Sequence, residues 1–229
     1  AYPRTETEDI AMLAAHGVDF VYAPDSAEIY PDGLSITVTV SGITDGLCGA
    51  SRPGHFDGVT TVVSRLFEHC VPDVAYFGEK DYQQSKVIER MVEELMLDIR
   101  IVRISTVREP DGLALSSRNA YLDPCQRRSA PALYSTMIAF AARLHKGDDI
   151  GAQCEWGFQA LLDAGFDSVD YFEDNTESLG VLASHSCDAQ LAPGSTLAPG
   201  CAVCGERRRG RRSERRGAAR GAHQKAAVR

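Results

Sequence analysis

The sequence predicts an α/β protein: a parallel sheet with crossover helices, followed by a small α+β domain. Three observations predict it. Strand-like and helix-like segments alternate through the first half, as β-α-β units require. After Asn119 that alternation gives way to two helices and one short strand. Beyond Ser184 no hydrophobic period survives, and no internal repeat is found.

Residues 8–16 read as a helix closed by Gly17 at the position after the cap, where positive φ is needed. Val18 to Ala23 follows as a short apolar strand. Ser35 to Val40 (SITVTV) alternates β-branched and polar residues, the pattern of a half-exposed strand. Val59 to Cys70 reads as a helix and Val74 to Phe77 as a buried strand. From Gln84, Val87, Ile88, Met91, Val92, Leu95 and Met96 recur at helical spacing, and Ile99 to Val107 is the next strand. Asp123-Pro124 is a good cap and first-turn pair, opening a long helix to about Lys146 before Gly147. A helix over 152–164 ends at Gly165, and Ser168 to Phe172 (SVDYF) reads as a strand. These elements divide the chain into a sheet domain over 1–106, a small domain over 107–184 and an irregular basic tail over 185–229, expected to be disordered.

Charge is distributed unevenly. The net charge is −8, yet residues 206–229 hold ten basic and two acidic side chains, leaving 14 basic and 30 acidic in the first 205. An acidic body gives no electrostatic reason to expect nucleic acid. No stretch approaches the roughly 20 apolar residues of a membrane span. Of seven cysteines, Cys48, Cys70, Cys125 and Cys154 are scattered singly, which suits reduced cytoplasmic thiols better than a disulfide framework. His185, Cys187, Cys201 and Cys204 are the right kinds of ligand for zinc, but with unusual spacing and linker-like flanks. The Arg-rich run after them could bind nucleic acid electrostatically, without the aromatics that would strengthen that reading.

Three runs could carry chemistry. In Phe77-Gly78-Glu79-Lys80-Asp81-Tyr82-Gln83-Gln84 a strand ends and a helix begins, the place where open parallel sheets bind ligands. Gly78 permits close backbone approach, Lys80 supplies a mobile cation, and Asp81 can accept from a ribose hydroxyl. A polar turn capping a helix accounts for the run equally well. In Leu113-Ala114-Leu115-Ser116-Ser117-Arg118-Asn119, two hydroxyls beside an arginine make a plausible anion clamp. A Ser/Asn turn with a solvated arginine is the plainer alternative. The third, Gly49-Ala50-Ser51-Arg52-Pro53-Gly54-His55-Phe56-Asp57-Gly58-Val59, is a glycine-rich loop before a helix, which is either a binding loop or a structural turn.

In order and spacing these runs, with YPRT at Tyr2 to Thr5, IYPDG at Ile29 to Gly33 and DGLALSSRNAYL at Asp111 to Leu122, resemble the pantothenate synthetase family over roughly residues 1–180. The resemblance implies a Rossmann-like nucleotide-binding domain, a small C-terminal domain and a cytoplasmic homodimer. It implies an ATP-dependent ligase that adenylates pantoate, with Mg²⁺ accompanying the nucleotide, and then transfers the pantoyl group to β-alanine. Carried over by motif, Gly78, Glu79, Lys80 and Asp81 should hold ATP, with Lys80 on the phosphates and Asp81 toward the ribose. Gln84 should orient pantoate, and Val107 should present backbone to adenine. Leu115, Ser116, Ser117 and Arg118 should close on the triphosphate, Lys80, Ser116, Ser117 and Arg118 acting catalytically. Arg52 and His55 should line the pocket. The resemblance implies no metal site of the protein's own beside the nucleotide. Another adenylyl-transferring nucleotidyltransferase, or a non-catalytic protein with a metal- or nucleic-acid-binding tail, are the alternatives.

Two departures qualify the expectation. The family's PTMGxLHxGH signature, which carries its catalytic histidine, and an Asn and Gln that grip pantoate before YPRT are absent from the sequence. The chain thus resembles a protein entered past its first β-α unit, with an incomplete sheet, and is expected to be inactive alone. After Leu182 the family's closing apolar strand is replaced by an Arg-, Gly-, Ala- and Pro-rich run resembling out-of-frame translation. DNA sequencing tests this: a frame shifted near codon 185 should restore the family ending.

Overall fold

A computed structural model describes residues 5–174 and the backbone of two short strands, 201–203 and 226–227. The expected tail, its His185, Cys187, Cys201 and Cys204 side chains, and most of the YPRT run lie outside the described residues. The chain forms two compact units, residues 1–35 and 36–229.

The first unit holds α1 (Glu6–Ala15) and α2 (Ser26–Ile29). Gly17, at φ 74, ends α1 as its sequence position predicts, with the Val18 amide reaching back to the Leu13 carbonyl at 3.1 Å. Residues 18–23 form no strand. Three of their apolar side chains, Val18, Phe20 and Val21, are exposed, so within the described residues nothing pairs with that segment as a sheet neighbour would.

The second unit begins with β1 (Val38–Thr39), shorter than the predicted Ser35 to Val40. The reason is local. The Val38 amide donates to the Thr61 hydroxyl at 3.0 Å and its carbonyl accepts from Thr60, so its backbone is tied to α4 (His55–Cys70) instead of a long neighbouring strand. Between them lies α3 (Cys48–Ser51). Next come β2 (Val74–Gly78), a 3₁₀ turn (Glu79–Asp81), α5 (Tyr82–Glu94) and β3 (Arg100–Ile104). Strands β2 and β3 are parallel, in register from Val74 opposite Arg100 to Gly78 opposite Ile104, which is the predicted β-α-β unit. A parallel pair needs a crossover, and α5 supplies it with Val87, Ile88 and Met91 fully buried. Each such side chain contributes about 1.5–3 kcal/mol of burial free energy. Phe56 and Phe67 of α4 enter the same core.

Strand β3 stops at Ile104, short of the predicted Val107. The chain then turns into a hairpin in which Arg108 bridges Ala114. The long helix predicted from Asp123 is two helices, α6 (Pro124–Ser129) and α7 (Ala132–Leu144). Pro131 divides them, because it lacks an amide proton and its ring clashes with the carbonyl four residues earlier. The Asp123 cap forms as expected, its carboxylate accepting from the amides of Cys125 and Gln126. Helix α8 (Ile150–Asp163) and β4 (Phe172–Asp174) follow. β4 begins later than the predicted 168–172, although Val169 and Tyr171 are buried as a strand pattern would bury them. Backbone pairing also joins β1 to β6 (Ala226–Ala227) and β4 to β5 (Cys201–Val203). Among the described residues, Cys48, Cys70, Cys125 and Cys154 form no disulfide.

A second apolar cluster joins Leu133, Met137 and Phe140 of α7 to Leu161, Phe166 and Phe172. Gly157 lets α8 approach β4: a Cβ there would stand 2.3 Å from Phe172 Cε1. Gly157→Ala should therefore destabilise the fold by about 1–3 kcal/mol, measured as a lower urea midpoint with an unchanged slope.

Candidate active site

The Gly78-to-Gln84 run lies where β2 ends and α5 begins. The 3₁₀ turn places Lys80 beside Asp81, Nζ to Oδ2 at 3.4 Å. The Lys80 side chain is largely buried while Asp81 is half-exposed. The N-terminal end of α5 follows this turn directly, and the positive end of a helix dipole favours an anion. Gln84, half-buried, belongs to that turn.

The second run enters through a constrained loop. Leu47 holds φ at 53, unusual for a bulky side chain and costing about 1–3 kcal/mol. Two residues on, Gly49 packs so tightly that a Cβ would stand 1.7 Å from the Thr44 carbonyl oxygen. Gly54, at φ 78, then turns the chain into α4 so that His55 is its first residue. Arg52 Nη1 stands 3.4 Å from His55 Nε2.

Burial pushes the His55 pKa below its ordinary 6.5, and the Arg52 guanidinium pushes it further down; Asp81 opposes the shift and Arg118 adds to it. The same imidazole thus feels charges from all three runs, which brings Arg52, His55, Asp81 and Arg118 into one electrostatic neighbourhood. His55 is kept neutral near pH 7. Below the ordinary value the unfolded chain binds the proton more readily than the folded one, so this group's contribution to stability rises with pH through the window between the depressed pKa and 6.5. Arg52→Gln should raise the His55 pKa toward 6.5, read from the pH titration of its ring carbon-bound protons by NMR.

The third run is the far limb of the hairpin after β3. The Leu115 amide donates to the Val107 carbonyl at 2.9 Å, leaving both side chains exposed. Ser116 caps the following 3₁₀ turn (Ser117–Tyr121), its hydroxyl accepting from the Arg118 amide at 3.2 Å. Asn119 Nδ2 donates to the Ala114 carbonyl at 2.9 Å. The hairpin is fastened to the helices behind it: Arg127 bonds both Glu109 and Asp111 at 2.6 Å, and the Arg108 guanidinium stacks 3.7 Å from the Tyr134 ring centre. The Arg127 contact holds the Asp111 carboxyl below its ordinary range.

Sequence reasoning passed over Gln83. Its side-chain amide is fully buried and ties the 43–48 loop to α5, accepting from the Cys48 amide and donating to the carbonyls of Ile43 and Gly46. It also passed over the buried contact of Cys48 Sγ with Tyr171 Oη at 2.8 Å.

The family described as pantoate-beta-alanine ligase matches residues 1–190. A pantothenate synthetase from Paramagnetospirillum magneticum is 53% identical over 172 residues, which are 75% of this chain and 61% of that protein. One from Rhodospirillum rubrum is 48% identical over 197 residues, 86% of this chain and 69% of the relative. Measured against the Paramagnetospirillum protein, the chain spans about three fifths of its relative's length. Among solved structures, pantothenate synthetase from Thermus thermophilus superposes with a TM-score of 0.73 at 44% identity, covering 80% of this chain and 67% of its own. A pantoate-beta-alanine ligase from Francisella tularensis, complexed with beta-gamma ATP and β-alanine, gives 0.67 at 32%, covering 76% and 63%. The α/β, Rossmann-like fold expected from the sequence is that of these neighbours. With a family match over 190 of its 229 residues, covering all three runs, the chain belongs to the pantoate-β-alanine ligase family.

Proposed function

We propose that this chain forms the ATP-binding part of a ligase that joins pantoate to β-alanine through a pantoyl adenylate. The observation that carries the reading is the family match over residues 1–190, which takes in all three runs: Arg52 to Val59, Gly78 to Gln84 and Leu113 to Asn119. It is supported by the neighbour described as complexed with beta-gamma ATP and β-alanine. In the first step a pantoate carboxylate oxygen attacks the α-phosphorus and pyrophosphate leaves. In the second the β-alanine amine attacks the acyl carbon and AMP leaves, the amine losing its proton. Charge builds on phosphate oxygens in the first step, and fixed cationic donors stabilise it.

In this reading Lys80 and Arg118 bind phosphate oxygens, with the Ser116 and Ser117 hydroxyls beside them. Asp81 and Gly78 face the ribose, Glu79 helps shape the turn, and Gln84 orients pantoate. The exposed Val107 and Leu115 offer an apolar edge and backbone to the base. A neutral His55 can accept a hydrogen bond there without adding charge. Among the described residues no cluster of His, Cys, Asp and Glu could cage a metal. In this reading Mg²⁺ comes with the nucleotide, bound to its phosphates. No described helix is long and apolar enough to cross a membrane.

The sequence contains no HxGH run, so the 229 residues alone should bind ATP without turning over. Calorimetric titration with ATP tests this: binding is expected, weakened about 10-fold or more by Arg118→Ala, since a charge-assisted bond contributes about 1.5–3 kcal/mol. No binding by the unaltered chain, or binding indifferent to that substitution, would overturn the reading.

A further inference from the structure

The loop that delivers Arg52 and His55 adopts a conformation it would not hold unaided. Leu47 sits at positive φ, buried, and Gly49 packs against the Thr44 carbonyl. Two side chains from distant parts of the chain meet this loop at one residue, Cys48. Gln83 of α5 takes the Cys48 amide at 3.1 Å and binds the Ile43 and Gly46 carbonyls at 2.9 and 3.0 Å, so one amide clamps both ends of the bend. Tyr171, immediately before β4, meets the Cys48 thiol at 2.8 Å. Cys48 and Tyr171 are both buried, and burial keeps the thiol protonated, so their contact is a neutral hydrogen bond shielded from water. From Cys48 the single turn of α3 leads directly to Arg52, whose amide donates to the Cys48 carbonyl at 2.9 Å.

We propose that Gln83 and Tyr171 are positioning residues: by holding Cys48 they fix where Arg52 stands against His55, and they couple the segment before β4 to the candidate pocket. Neither side chain needs to touch a ligand. A purely structural role would leave the Arg52–His55 geometry indifferent to the Tyr171 hydroxyl. A positioning role makes that geometry depend on it. Only the consequence for nucleotide affinity rests on the function proposed above; the positioning itself does not.

The test uses the full chain with Tyr171→Phe, Cys48→Ala, the double variant, and Leu161→Val as a control in the second apolar cluster. Gln83→Met, similar in size but without the amide, tests the other tether. Each is read by the NMR titration of His55 and by calorimetry with the non-hydrolysable probe β,γ-methylene ATP. We expect Tyr171→Phe and Cys48→Ala to raise the His55 pKa by about half a unit, a roughly threefold change in its protonation equilibrium. The double variant should move it no further, because both remove the same contact. Gln83→Met should move it at least as far, and Leu161→Val should leave it in place. The probe should bind about three- to tenfold more weakly to the first two variants. A Tyr171→Phe chain that melts lower but titrates like the original would overturn the proposal, as would an equal shift from Leu161→Val. If the unaltered chain ignores the probe while the His55 shifts appear as described, the positioning role stands and the nucleotide assignment fails.

Discussion

Lys80→Ala is expected to lower kcat by about 10²–10³ when this chain is assayed joined to the HxGH-bearing segment of a pantothenate synthetase. The Lys80 ammonium is largely withdrawn from water and held next to Asp81. A cation already in place costs no reorganisation when negative charge develops on the transferring phosphate. Alanine removes the charge and leaves Asp81 without this partner, so the site becomes less positive where phosphates should bind. The KM for ATP should rise as well, but the loss in kcat is the informative part. Uniform binding lost from ground and transition states alike would raise KM alone. Lys80→Arg should recover only part of the rate, because a broad planar fork does not replace a compact ammonium.

Gly49→Ala should be the most damaging single methyl group in the described structure. A Cβ there would stand 1.7 Å from the Thr44 carbonyl oxygen, 2.6 Å from its carbon and 3.3 Å from its Cα. All three are backbone atoms, so no rotamer change relieves the overlap. The bend between Thr44 and Gly49 must open, which pulls against the Gln83 bonds and the Thr44 hydroxyl's 2.6 Å bond to the Val40 carbonyl. Overpacking of this kind costs about 3 kcal/mol or more. In a domain of this size that is roughly a 6–12 °C fall in Tm, measured by circular dichroism. Gly58→Ala, with open space around the added Cβ, is the matched control and should leave Tm nearly unchanged.

Much of the second unit is legible in the sequence. The spacing of Val87, Ile88 and Met91 predicts the buried face of α5, and Gly147 and Gly165 each take the positive φ that their places after helices require. The misses have physical causes. Helical periodicity continues on either side of Pro131, so the break must be read from proline's missing donor and not from hydrophobic spacing. The SITVTV pattern predicts a strand correctly in type but not in length, since Thr60 and Thr61 compete for its backbone. Gln83 and Gln84 precede Val87 and Ile88 by one helical turn each, so spacing cannot say which of the two faces the core; the structure buries Gln83. The contact between Cys48 and Tyr171 joins residues 123 positions apart and leaves no local signature. The candidate site was legible as three separate runs. What the sequence could not supply is that Arg52 stands 3.4 Å from the His55 ring, in a loop held by Gln83 of α5.

The central claim is that these residues form the ATP-binding part of a pantoate–β-alanine ligase. The most direct measurement is AMP release by the chain joined to an HxGH-bearing segment, with pantoate and β-alanine supplied together and singly. The account predicts sustained AMP formation only with both, matched by equal pantothenate, and about 10²–10³-fold less with Lys80→Ala. AMP formation that is indifferent to β-alanine or pantoate, or full activity in the Lys80→Ala chain, would contradict it.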